Sequence, residues 1–186
     1  MRKIFAIITI LVGLSICTYA QTGTPQDILK KANSDAKELE KAGWKPCFRM
    51  PEIKSQLIDV YLRKARIMND GYPQYIIGYS RRRYKNFHGA HSMAMLAARG
   101  EIVKAIESYI SSEIIIKIKT DIDSNTRQRI FRNVLVTSKR KLGITEPVVD
   151  IYRELKDGEF EVEVRVAYNK KEVENDINEV IKTVSK

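Results

Sequence analysis

Cysteine and histidine are nearly absent, and both shortages narrow the chemistry. The 186 residues include two cysteines, Cys17 and Cys47, and two histidines, His88 and His91. Cys17 falls within an apolar N-terminal run. Cys47 is then alone in the rest of the chain, so no internal disulfide is expected and the core must hold without a staple. With no histidine near it in sequence, Cys47 reads as a small buried hydrophobe rather than a nucleophile. His88 and His91 stand three apart near a predicted helix start. A shared metal would need a third ligand such as Asp70 or Glu101, and no spacing fixes one. The chain lacks a Gly-x-Ser-x-Gly nucleophile turn and a glycine-rich phosphate loop. The acidic pairs Glu161/Glu163 and Asp121/Asp123 read as the wet face of a strand and as helix-entry residues, not as acid–base couples. The expectation is therefore a protein that is not an enzyme, with no cofactor and no metal.

What is present begins at residues 1–20. Arg2-Lys3 is followed by an apolar run over 4–16 broken by Thr9, Gly13 and Ser15, and Thr18-Tyr19-Ala20 places small residues at the minus-three and minus-one positions of a secretory cleavage site. The run is short for a membrane span, and no stop-transfer segment follows. Residues 1–20 are thus expected to be a cleaved signal peptide, and the product an exported protein starting at Gln21. That compartment excludes most nucleotide-driven and nucleic-acid chemistry. Lipidation of Cys17 would instead tether the chain to a membrane face, but Ile16 is bulky where a lipid-accepting cysteine wants a small neighbour.

Basic residues outnumber acidic ones, 33 to 23, for a net charge of +10, or about +8 without Arg2 and Lys3. Two clusters carry much of the excess, Arg81-Arg82-Arg83 with Lys85 and Lys139-Arg140-Lys141. Outside the cytoplasm the available polyanions are lipopolysaccharide, anionic lipid headgroups and acidic wall polymers, so Arg81, Arg82, Arg83 and Lys85 are a candidate anion-binding patch. The second cluster sits in the last turn of a predicted helix, where cations complement the dipole.

The pattern over residues 21–70 is a helical arm. Thr24-Pro25-Gln26-Asp27 caps a first helix, with Ile28, Ala32, Ala36 and Leu39 as its apolar stripe and Gly43 as its stop. A second helix starts at Pro51-Glu52, and Asn69-Asp70-Gly71-Tyr72-Pro73 breaks it. Residues 71–186 read as an α+β domain. A short strand over 75–79 precedes a long alanine-rich helix over about 87–110. A strand over 113–120 is expected next, its Ile114, Ile116 and Ile118 on one face. Asp123-Ser124 then caps a helix ended by Gly143, a hairpin follows, and a last helix covers about 170–184. Reading Asp157-Gly158 as a two-residue turn, the hairpin pairs Leu155 with Phe160, Ile151 with Val164, Val149 with Val166, and Asp150 with Arg165, leaving Glu154 to repel Glu161. The expected architecture is a two-layer sandwich, with helices on one face of a small antiparallel sheet and the other face wet. Arg99 is the odd charge on the alanine-rich helix, expected to reach solvent or to pair with Glu101 or Asp150.

The Tyr75-Ile76-Ile77-Gly78 segment, the helix His91-Ser92-Met93-Ala94-Met95-Leu96-Ala97-Ala98-Arg99-Gly100-Glu101-Ile102 and the late hairpin at Lys156-Asp157-Gly158-Glu159 together resemble the LPP-twenty-type small bacterial surface lipoproteins and the related N-terminal domain of a flagellar T-ring protein. The resemblance covers residues 74–168, and its most telling piece is the helix containing Ala97-Ala98-Arg99 after the Gly78 strand. It implies an exported, envelope-associated protein without catalysis or cofactor. It carries over no functional residues, and it covers neither the arm nor a good lipobox. The expected role is an interaction or assembly module in the periplasm or on the outer-membrane surface of a Gram-negative bacterium, with an envelope protein as partner. The alternative is a binder of an anionic envelope component, with peripheral membrane association. Intact-mass measurement of the exported species should give a chain starting at Gln21; a diacyl or triacyl adduct on Cys17 would sink that expectation.

Overall fold

In the computed structural model the described residues are 24–117 and 123–184; residues 1–20, with Cys17, and Asp121 lie outside them. The elements run α1 (Pro25–Lys41), β1 (Lys45–Pro46), α2 (Ile53–Ala65), β2 (Tyr75–Tyr84), α3 (Phe87–Lys117), α4 (Ser124–Gly143), β3 (Pro147–Glu154), β4 (Phe160–Asn169) and α5 (Lys170–Val184). The fold is α+β, around an antiparallel sheet in the order β1-β3-β4-β2.

Local signals produce most of the helix ends. Thr24 and Asp27 form a reciprocal capping box and Pro25 takes the first helical position. Asp123 accepts from the Thr126 amide to open α4, whose last turn carries Arg140 and Lys141. The short β1 strand between the first two helices has no periodic signal of its own. It exists because Lys45 and Pro46 pair with Tyr152 and Ile151 of β3.

The expected strand over 113–120 is absent as far as the structure describes it: α3 continues to Lys117, and 118–122 lie outside the described residues. Ala90, Ala94, Ala98, Ile102, Ile106, Ile110 and Ile114 form one buried seam recurring every four residues. That seam outweighs the alternation of Ile114 and Ile116. Ser111 and Ser112 fold their hydroxyls back onto the Glu107 and Ser108 carbonyls, and Glu113 pairs with Lys117 one turn on. Each four-residue step overshoots a full turn by about 40°, so the seam winds around the helix. Its alanine half lies on the sheet, and its isoleucine half extends a core shared with Ile130, Val134 and Leu142 of α4 and Val173 and Ile177 of α5.

The hairpin differs from expectation by one residue. Leu155 N–H donates to the Glu159 carbonyl, and Gly158 N–H to that of Leu155, with Gly158 at φ 79°. This is a three-residue loop, a turn plus a left-handed glycine bulge, and not a two-residue turn. Glu154 therefore pairs with Phe160, Arg153 with Glu161, Ile151 with Glu163, Asp150 with Val164 and Val149 with Arg165. A one-residue shift moves every side chain of a strand to the opposite face. Val162, Val164, Val166 and Tyr168 lie under α3, whereas Val149 and Ile151 lie on the other face, in a second core with Trp44, Ile53, Leu57 and Val60. The two-layer reading with one wet face is thus corrected: α1 and α2 cover the second face, because β3 places isoleucine and valine there. The expected Glu154–Glu161 repulsion is replaced by an Arg153–Glu161 ion pair at 2.7 Å.

Close packing of β2 on α3 depends on glycine. A Cβ on Gly78 would stand 2.0 Å from the Ala98 carbonyl oxygen and 2.8 Å from Ile102 Cγ1, whereas one on Gly100 would meet nothing within 4 Å. Gly78→Ala should destabilise the protein by about 3 kcal/mol or more through overpacking against backbone. Gly100→Ala, in the same helix-and-strand unit, should stabilise it by roughly 0.5–1 kcal/mol. Chemical denaturation of both variants tests the packing; equal effects would contradict it.

Candidate functional site

Two polar constellations stand out, one on each face of the sheet.

On the face under α1 and α2, alternate residues of β2, β3 and β4 bring Arg81, Arg153, Glu161, Glu163 and Arg165 together. Glu163 is fully buried and accepts from Arg81 Nη2 at 2.5 Å and from Arg165 Nη2 at 2.7 Å, with Tyr79 Oη at 3.4 Å. The Trp44 ring carries two guanidinium groups, Arg81 at 4.9 Å and Arg153 at 5.0 Å from its centroid. Stacked cations of this kind contribute about 0.5–2 kcal/mol each. A cleft of about 360 Å³ opens beside them, walled by Trp44, Tyr61, Arg153 and Arg165 among others. Across it Tyr61 donates to Asp35. Burial and the Asp35 carboxylate push the Tyr61 hydroxyl up to about 12. Burial, together with Arg165 and Lys31, pulls the Lys64 ammonium below its ordinary value. The expectation that Glu161 and Glu163 face water is corrected. Both are ion-paired, and an uncompensated carboxylate at Glu163 would cost about 3–5 kcal/mol.

The four residues of the candidate anion patch do not converge. Arg81 turns inward to Glu163 and Arg83 pairs with Asp157 and Glu159, both on the α1/α2 face. Arg82 points to the opposite face, donating to the Arg81 carbonyl at 2.9 Å, and Lys85 lies exposed beyond the strand. Strand alternation splits what looked contiguous in sequence. In the second basic cluster, Lys139 pairs with Glu107, and Lys141 holds the buried Asp176 of α5.

On the α3 face, His91 Nε2 lies 2.8 Å from Asp150 Oδ2, and its ring stacks on Phe87 at 5.7 Å. Cys47 stands opposite Asp150 across the sheet edge, donating its amide to the Asp150 carbonyl at 3.0 Å. Gln56 closes the set: its side chain accepts from the Asp150 amide and donates to the Pro51 carbonyl, each at 2.7 Å. His88 is exposed and meets the Phe87 ring edge-on. Asp70 lies in another turn, and Glu101 caps the Tyr79 amide at 3.1 Å. Among the described residues no three His, Cys, Asp or Glu side chains are grouped to hold a metal, and no helix is long and apolar enough to cross a membrane. Arg99 reaches neither Glu101 nor Asp150 but donates to the Thr145 carbonyl at 3.0 Å.

No protein-family model, curated protein or solved structure matches the chain.

A thiol, a carboxylate and an imidazole in line resemble a nucleophile with its relay, but the electrostatics oppose that use. Burial and the facing Asp150 carboxylate push the Cys47 thiol far up, which keeps it protonated. The carboxylate sits between thiol and imidazole, so His91 has no direct path to the sulfur. What the network does is hold a turn. Residues 47–51 are tied at Cys47 to β3 and at Pro51 to Gln56, and Met50 N–H closes the turn on the Cys47 carbonyl at 3.0 Å. Arg49 occupies the left-handed region at φ 68°, where glycine is usual. Phe48 then projects with 87% of its surface exposed, more than any other large apolar side chain among the described residues. Sequence spacing held no sign of this assembly, since its members come from the turn after β1 and from α2, α3 and β3.

The hydrogen bond to Asp150 raises the His91 pKa above its ordinary value, outweighing burial. A raised native pKa adds stability that is complete below the unfolded value near 6.5 and disappears as pH climbs through the native one. Unfolding free energy should therefore rise from pH 8 towards pH 6 in the native chain relative to His91→Gln, read by urea denaturation across that range. Parallel pH profiles for the two proteins would dismiss the coupling.

Proposed function

We propose that this chain is a non-catalytic, exported cell-envelope protein that works as an interaction or assembly module, as its LPP-twenty-like resemblance implies. The observation that carries the reading is the turn at residues 47–51. A phenylalanine is held out to solvent on a backbone fixed at both ends, with Arg49 in a conformation that costs a non-glycine residue about 1–3 kcal/mol. The Arg49 guanidinium lies 5.2 Å over the Phe48 ring, so the tip presents an aromatic and a cation together. Aromatic and arginine side chains are the residues that most often dominate protein–protein contacts. Folding alone gains little from an aromatic ring in water.

The alternative, an anionic envelope component bound through Arg81, Arg82, Arg83 and Lys85, is the weaker reading. Arg81 and Arg83 already have carboxylate partners, leaving Arg82 and Lys85 as the available cations.

A photo-crosslinking phenylalanine analogue at position 48, expressed in the exporting cell, should give a discrete crosslinked species, and the same analogue at exposed Leu62 should not. Phe48→Ala should leave thermal stability within about 0.5 kcal/mol of the native value. Crosslinking no stronger at 48 than at 62 would remove the support for a docking role.

A further inference from the structure

The sheet has two edges, and they are built differently. At one, β1 is two residues long and contains Pro46, devices that commonly blunt an edge strand. At the other, β2 is ten residues long, contains no proline, and pairs with β4 over ten successive positions without a register break. Its outer side can be read from two hydrogen bonds. Tyr79 N–H donates to the Glu101 carboxylate, and the Arg81 carbonyl accepts from Arg82, so neither group is turned towards β4. Backbone groups alternate sides along a strand, hence Tyr79, Arg81 and Arg83 all direct their main-chain groups outward.

The first half of this edge is sheltered. Gly78 and Ser80 are buried, with Gly78 against the Ala98 backbone. From Arg81 to Tyr84 every residue is exposed, and Tyr79, although its amide is capped by Glu101, keeps its carbonyl on the same outer side. There the Tyr79 carbonyl, the Arg81 amide, and both the amide and carbonyl of Arg83 have no hydrogen-bond partner among the described residues. Along residues 81–85 the charge left over is positive: Arg81 and Arg83 are neutralised, Arg82 and Lys85 have no ion-pair partner among the described residues, and the Glu101 carboxylate at the Tyr79 end is held on that amide.

We propose that the outer edge of β2, over residues 79–84, accepts an extended acidic segment of a partner protein as a fifth antiparallel or parallel strand. Main-chain groups of Arg81 and Arg83 supply the pairing, and Arg82 and Lys85 select carboxylate side chains along the added strand. The open backbone groups favour a peptide over a lipid headgroup or polysaccharide, neither of which offers a strand's donors and acceptors in register. A second copy of the chain fits less well, because pairing this edge with itself brings two sets of Arg82 and Lys85 together. The proposal is independent of Phe48, which lies beyond β1 at the opposite end of the strand order.

The probe is a fluorescent ten-residue peptide of alternating glutamate and valine, titrated by anisotropy against the purified exported chain. Saturable binding is expected, falling steeply as salt rises past physiological strength. Methylating the backbone nitrogens of all glutamates or of all valines gives two further peptides, one of which loses the donors facing β2. That one should bind about tenfold more weakly, as losing one or two hydrogen bonds implies. Arg83→Pro removes an outward N–H while leaving the β4 ladder intact, a position where an edge strand tolerates proline. It should weaken binding well beyond Arg83→Ala. Arg82→Glu should weaken binding of the unmodified peptide and abolish its salt dependence. Equal binding of all three peptides would overturn the proposal without requiring any variant to fold. So would failure of the unmodified peptide to bind, retention on phosphatidylglycerol vesicles in its place, or concentration-dependent dimers abolished by Arg83→Pro.

Discussion

The left-handed glycine at the β3–β4 turn sets the layer structure of this protein. Gly158 adds one residue to the loop, and that residue decides which way each β3 side chain points relative to β4. With the shorter turn, Val149 and Ile151 would share a face with Val164 and Val166, and the opposite face would be charged and wet. With the bulge, each face receives apolar side chains and each must be covered. The pairing of α1 with α2, the burial of Trp44 against β3 and the inward turn of Glu163 all follow from that offset.

The same offset explains why so much arginine is internal. Once Glu161 and Glu163 are carried under α1, a carboxylate without a partner would be severely destabilising, and Arg81, Arg153 and Arg165 come from neighbouring strands to meet them. A chain this basic would ordinarily invite a polyanion reading of every arginine run. Here strand alternation sorts three consecutive arginines into two that neutralise the sheet and one that remains available.

Legibility in the sequence tracked the range of the interactions involved. The Thr24 cap of α1, the Asp123 cap and the bounds of α5 rest on neighbours a few residues apart, and all were readable. The extent of α3 was not, because Ile114 and Ile116 satisfy a strand period locally and only the longer recurrence from Ala90 decides for helix. The hairpin was found but its register was missed, since Asp157-Gly158 suits both turn types and the choice lies with the layers on either side. Glu161-Val162-Glu163-Val164-Arg165 did hold a clue: two acids beside an arginine at alternate positions, with arginines in both neighbouring strands, suit a paired and buried row. The contact of His91 with Asp150 spans 59 residues and had no local trace.

The winding seam of α3 has a consequence for how this chain can change over time. Its alanine end is seated on the sheet, where Ile102 still reaches Gly78, and its later isoleucines join a core with two other helices, so angular phase must be kept along the whole rod. Exchanging one aliphatic side chain for another leaves that phase alone. Adding or deleting a single residue between Ala98 and Ile102 would rotate everything downstream by about 100° and face the isoleucines to water. The helix is therefore tolerant of spelling and intolerant of length, and variation in this protein should be sought in its loops.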